Sequence, residues 1–206
     1  MNAQRTLRRP ISCAGIGLHS GKKVTLSLKP APSDFGVRFR RADLGGLEVP
    51  ANVGHVGGID HATGLTRDAV NVDTVEHLLA ALVSLGVDNV IVELNSPEVP
   101  IMDGSAMPFI AAIESAGIQE QEAEREYLVL DENITYEDNE RQIEMLAVPT
   151  NGGEFRLTVM VDYNSPVLGT QHAHMYELDH FVDEIARCRT FVFLKELAVL
   201  AKNGLI

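Results

Sequence analysis

A glutamate and a histidine stand side by side in Thr74-Val75-Glu76-His77-Leu78-Leu79. On a helix, neighbours lie about 100° apart, so both side chains can face one cleft from the first turn. A histidine so placed can ligate a metal while the carboxylate takes a proton from metal-bound water. The same pair also reads as an ordinary surface acid, favoured by the helix dipole, beside a locally satisfied histidine. GIGLHSG (15–21) puts three glycines in seven residues, which permits close backbone approach but matches neither the dinucleotide nor the P-loop spacing. It reads as a hairpin with His19 satisfied locally, a phosphate cradle being the alternative. In PEVPIMDGSA (97–106), Asp103 and Ser105 read as turn and cap chemistry, because a nucleophilic serine needs a partnered histidine. Arg187-Cys188-Arg189-Thr190-Phe191 could hold a phosphate or stabilise an oxyanion beside an aromatic face, or simply end a helix. His172 and His174 share a face if their segment is extended, and read as a chelating pair or as exposed loop histidines.

These residues need elements to position them. Residues 23–29 alternate Val24, Leu26 and Leu28 with Lys23, Thr25, Ser27 and Lys29, the pattern of a half-buried strand. Residues 37–41 predict a second strand. Residues 44–66, glycine-rich and carrying His55 and His61, predict a loop or irregular insertion. Val75, Leu78, Leu79 and Leu82 predict a helix over 74–85, capped by Thr74 and closed by Gly86, with a strand following at 87–94. A loop at 96–103 leads to a helix capped by Ser105, with Pro108 in its first turn, ending at Gly117. The acid- and amide-rich stretch 119–126 reads as a linker. Beyond it, strands are predicted at 127–130, 142–148 and 155–163, then helices at 180–187 and 194–202. The expected fold is α+β: two related sheet-plus-helices units, 1–118 and 127–206, forming a two-layer βα sandwich with the second unit incomplete. Asn203-Gly204 followed by two apolar residues reads as leading into a further strand.

Composition excludes several classes. Seventeen basic residues against 29 acidic ones give a formal net charge of −12, and 45 % of the 206 residues are hydrophobic. That balance describes a globular protein and argues against a general nucleic-acid or anionic-membrane surface. Residues 1–10 lack the apolar core of a signal peptide, and no apolar run is long enough to span a bilayer. The two cysteines, Cys13 and Cys188, form no disulfide framework or metal knuckle, which points to a reducing cytoplasm.

In combination and order, GIGLHSG (15–21), TVEHLLAAL (74–82), GVDN (86–89), PIMDGSAMPF (100–109) and Arg189-Thr190-Phe191 resemble the UDP-3-O-acyl-N-acetylglucosamine deacetylase family, the zinc hydrolases that commit Gram-negative bacteria to lipid A synthesis. The likeness runs from about Thr6 to Ile206. It implies that a zinc-bound water attacks the acetamide of a UDP-linked acylated glucosamine and releases acetate. Glu76 then matches the general base, His77 a zinc ligand, and Thr190 the residue that hydrogen-bonds the tetrahedral intermediate. Phe191 matches the aromatic beside the sugar, Tyr163 an aromatic against the uridine, and His19 lies in a substrate-binding motif.

The same resemblance implies what the chain does not contain. DHATGLT (60–66) departs from the commoner family pattern. The HKxxDxxGD motif, which supplies two more zinc ligands, is expected beyond Ile206, and His172, His174 and His180 do not match it. The chain as given is therefore expected to be the N-terminal part of the deacetylase, binding zinc weakly and turning over little. NSPVLGTQHAH and RCRTFVFL look most like Bacteroidetes-type members, in which a hydroxyacyl-carrier-protein dehydratase is often fused at the C-terminus. A non-catalytic nucleotide-sugar-binding relative is the alternative reading.

Overall fold

The computed structural model describes residues 3–58, 62–150 and 155–202. Strands dominate. In chain order they are β1 (Ala3–Leu7), β2 (Ile11–Ile16), β3 (Lys23–Pro30), β4 (Val37–Arg41), β5 (Leu47–Pro50), β6 (Val56–Gly58), β7 (Gly64–Arg67) and β8 (Val70–Val72). After α1 (Glu76–Ser84) come β9 (Val90–Leu94), α2 (Met107–Ala116), β10 (Ile118–Glu124), β11 (Ile134–Asp138), β12 (Ile143–Ala147), β13 (Leu157–Asp162), β14 (Thr170–Met175) and α3 (Leu194–Lys202). The chain divides into two compact units, one of residues 1–124 with 181–206 and one of residues 125–180.

The first unit is built on a five-stranded sheet in the order β2-β3-β9-β4-β5. All its pairings are antiparallel except β4 with β9, which run parallel. A parallel neighbour needs a crossover connection, and α1 lies within it. The alternation read in residues 23–29 appears as burial of Val24, Leu26 and Leu28 in β3. These pack with Phe39, Val49, Val92 and Leu94 of the sheet, Leu78, Ala81 and Leu82 of α1, and Phe109, Ile110 and Ile113 of α2 in one apolar core. The unit is thus a sheet covered by helices, the α+β arrangement the sequence predicts. Burying side chains of that size, at roughly 1.5–3 kcal/mol each, is what holds it.

Local chemistry closes α1 as expected. Gly86 adopts φ +65°, its amide donates to the carbonyl of Val83, and the amide of Val87 donates to that of Leu82. This is the paired-bond ending that a left-handed glycine permits. Asn89 is buried where three segments meet. Its side-chain amide donates to Gln4 and Gln121, its side-chain oxygen accepts from the amide of Gly36, and its carbonyl accepts from the Thr6 hydroxyl.

Several expectations are corrected. Thr74 does not cap α1: the helix starts at Glu76 and Val75 flanks it without a side-chain cap bond. Ser105 likewise precedes α2 by two residues, although its hydroxyl accepts from the amide of Met107 at 3.2 Å and Pro108 sits in the first turn. The stretch 44–66 is not a loop, since it holds β5, β6 and the start of β7, and β6 and β7 pair with β8 in a small sheet. His55 bonds Asn52 through its ring at 2.7 Å, while Asp60 and His61 lie outside the described residues. Most of the supposed linker 119–126 is β10, which pairs antiparallel with β1. Its charges alternate with partly covered positions, so a polar sequence is compatible with a paired edge strand.

The second unit departs most. Residues 127–130 are not a strand, and Leu128 is 93 % exposed. Two separate hairpins follow, β11 with β12 and β13 with β14, and His172 and His174 share one exposed face of β14. No helix belongs to this unit among the described residues. The segments expected as its helices group with the first unit: Phe181–Ile185 forms one π-helical turn whose Phe181 and Val182 pack on the apolar core, and α3 follows. Asn203–Ile206 lie outside the described residues.

Candidate functional site

The first turn of α1 carries the Glu-His pair. The Glu76 carboxylate accepts the backbone amide of Thr63, which fixes it against the segment entering β7. The His77 ring is half-buried. Its Nε2 lies 3.2 Å from the Thr190 hydroxyl, across 113 residues of sequence, and its Nδ1 is buried without a hydrogen-bond partner among the described residues. A buried ring nitrogen without a partner calls for a ligand or a compensating group.

Thr190 reaches this position because its segment is tied back to the turn before α2. The amide of Ala106 donates to the carbonyl of Ala186, and the amide of Thr190 to that of Gly104. Gly104 sits at φ +86° and Met102 at φ +56°, so the 102–105 turn is bent into a region where glycine is favoured. Within it, Asp103 accepts the hydroxyl and amide of Ser105 at 2.7 and 3.0 Å. Those bonds, with Arg189 of the returning segment 3.6 Å away, hold the Asp103 carboxyl below the usual carboxylate range. Arg189 therefore meets a carboxylate rather than ending a helix. Phe191, beside Thr190, is 57 % exposed and meets Phe193 edge-on at 5.6 Å.

His19 lies at the tip of the β2–β3 connection, a hairpin as read. Its neighbourhood holds the residue sequence reasoning passed over. Glu98 is 2 % exposed and its carboxylate accepts the amides of His19 and Ser20 at 2.9 and 2.8 Å and the Thr74 hydroxyl at 3.2 Å. Burial pushes this carboxyl up, but the bonds from Ser20, the two amides and Thr74 outweigh it and leave it below its ordinary range. Thr74 is held at φ +60°, a rare conformation for a β-branched residue and a strain that surrounding contacts must sustain. Gly17 is equally constrained, since a Cβ there would run into the Glu98 carboxylate and the Ser20 hydroxyl. Asp73 runs beside Glu98 in a short parallel bridge, and burial, with the Glu98 charge, raises its carboxyl. The only sequence signal for Glu98 was an acid flanked by Pro97 and Pro100 directly after a strand.

The first unit thus brings together Glu76, His77, Thr190 and Phe191, and holds His19 through Glu98. Tyr163 belongs to the other unit, where its amide donates to the carbonyl of Gly169 in the turn between β13 and β14. For zinc, His77 is a suitable donor. A catalytic zinc takes three protein ligands, however, and no set of three converges at His77 among the described residues. Among the described residues, the one cluster of three such side chains, Glu177, Asp179 and His180, lies at the end of the second unit.

The family model for LpxC, UDP-3-O-acyl N-acetylglycosamine deacetylase, matches residues 4–206. The chain is 46 % identical over 209 residues to the UDP-3-O-acyl-N-acetylglucosamine deacetylase of Pseudomonas entomophila, covering all of this chain and 68 % of the relative. It is 45 % identical over 207 residues to the Myxococcus xanthus deacetylase, covering 98 % and 64 %. It is also 45 % identical over 205 residues to the bifunctional enzyme LpxC/FabZ of Chlorobaculum tepidum, covering 98 % and 44 %. The chain therefore spans between about two fifths and two thirds of the length of these relatives. On the match along nearly its whole length, the chain belongs to the LpxC family.

Proposed function

We propose that the chain serves zinc-dependent hydrolysis of the acetamide of UDP-3-O-acyl-N-acetylglucosamine, the committed step of lipid A synthesis. The carrying observation is the pairing of Glu76 and His77 on the first turn of α1 with the Thr190 hydroxyl 3.2 Å from the imidazole. Family membership favours this reading over a non-catalytic nucleotide-sugar binder.

His77 would be one ligand of the zinc, which when bound supplies a Lewis acid that polarises the acetamide carbonyl. Glu76 takes the proton of the attacking water and passes it to the departing amine. Its bond from the Thr63 amide orients the carboxylate before substrate arrives. The Thr190 hydroxyl donates to the oxyanion as the carbonyl becomes tetrahedral, and preorganisation by the 102–105 turn spares it reorientation at that moment. The exposed ring of Phe191 offers an apolar face to the sugar. The His19 turn contacts the remainder of the substrate. No helix among the described residues is long and apolar enough to cross a membrane. The name of the Chlorobaculum tepidum relative supports a fused second activity, the dehydratase, in the full protein.

Acetate release from UDP-3-O-acyl-N-acetylglucosamine tests the proposal. The protein at its natural length should release acetate, and Glu76→Gln should lose that activity while still binding the nucleotide sugar. Binding without acetate release by the unaltered, zinc-loaded protein would favour the binder.

A further inference from the structure

Glu98 has no hydrogen bond to Glu76 or His77 among the described residues, yet it joins the two segments that present the site. On one side its carboxylate accepts two successive amides from the turn bearing His19; on the other it accepts the hydroxyl of Thr74, two residues before Glu76. Thr74 needs such a partner, because its φ of +60° is unfavourable for a branched side chain and sets the direction in which the backbone enters α1. A carboxylate satisfies this junction because the groups bonded to it all donate: two amides and the hydroxyls of Ser20 and Thr74. A carboxamide of the same shape would turn a donor toward one of those donors. Gly17 is the complementary device, leaving the space the carboxylate fills.

We propose that Glu98 is a positioning residue: its buried carboxylate holds the His19 turn and the start of α1 in register, so that Glu76 and His77 are presented to Thr190 and substrate together. This rests on the deacetylase reading for its kinetic consequence but not for its structural one. A misplacement of about 1 Å at a reacting group costs up to about a hundredfold in rate, so a small loss of register is readable.

The test compares Glu98→Gln and Thr74→Ala with Val49→Ala, a buried change on β5 outside both segments, in the protein at its natural length. Glu98→Gln should lower kcat roughly ten- to hundredfold at temperatures far below its melting point. Thr74→Ala should act in the same direction, and the two should combine less than additively, because Thr74 works through Glu98. Independently of turnover, the ring resonances of His19 and His77 should move in both variants, and the amides of His19 and Ser20 should exchange faster, with none of this in Val49→Ala. Ring resonances and amide exchange that match Val49→Ala would overturn the proposal, as would kinetics that track stability alone. If Glu98→Gln does not fold, Thr74→Ala decides by the same readouts. An unaltered protein that releases no acetate would defeat the deacetylase reading instead, and the resonance and exchange measurements would still judge Glu98.

Discussion

The two units make opposite use of similar raw material. Both contain strands rich in Val, Leu and Ile, but in the first unit alternate side chains turn onto α1 and α2 and are sealed, whereas in the second they stay in solvent. Leu26, Phe39, Leu82, Phe109 and Val92 are all essentially inaccessible, while every residue of β13 is exposed and Met175 is the single buried apolar side chain among the described residues of 125–180. A two-stranded ladder satisfies its backbone yet has no second layer on which to bury a face, and such hairpins are marginal on their own. The lesson is that alternation makes a strand, and only a covering layer makes a core. The residues that can do chemistry follow this division: Glu76, His77 and Thr190 are held by packed elements, Tyr163 by a hairpin turn.

That contrast can be broken by experiment. The largest effect should come from the site: Glu76→Gln should reduce kcat by about 10²–10⁴-fold with substrate binding retained, whereas Tyr163→Phe in the other unit should leave kcat nearly unchanged. Equal losses would show that the second unit shares the chemistry. Next, Phe109→Ala should destabilise by about 3–5 kcal/mol in urea titration, since a fully buried aromatic leaves a cavity. Asn89→Ala should lose about 2–3 kcal/mol by orphaning the buried amide of Gln4 and the half-buried groups of Gln121 and Gly36. In the second unit, Val159→Ala should stay within about 0.5 kcal/mol, because that side chain is already 43 % exposed. A loss there as large as at Phe109 would mean that a covering layer exists in solution.

The smallest effect is a pH dependence. Glu98 has a lowered carboxyl, so in the acid range the unfolded chain binds the more protons and stability rises with pH. That contribution is complete above the ordinary glutamate value and lost as pH falls through the lowered one; Glu98→Gln should flatten this limb of the urea midpoint. Asp73, raised by burial and by its acidic neighbour, has the opposite sign, so stability falls as pH climbs through its window and Asp73→Asn should remove the fall.

Much of the first unit was legible because its signals are local. The period-two pattern of β3, the spacing of Leu78 and Leu82, the glycine that ends α1 and the adjacency of Glu76 and His77 each depend on a few neighbouring residues. The second unit departs from its sequence pattern for the same reason: apolar runs at 127–130 and 180–187 state a preference for burial, but burial needs a partner surface that local sequence does not name. The acidic stretch taken for a linker became β10 because β1, more than a hundred residues earlier, pairs with it.

The sequence by itself determined the residue types of a candidate site, the helix that carries two of them and, by resemblance, the family to which the chain belongs. Only the tertiary structure decided that Thr190 meets His77 across 113 residues, that Arg189 turns to Asp103, and that Glu98 binds a turn 79 residues before it. The reason is physical. Propensity and periodicity act over a turn or two of chain, whereas a buried carboxylate finds its donors wherever the closing of a core brings them.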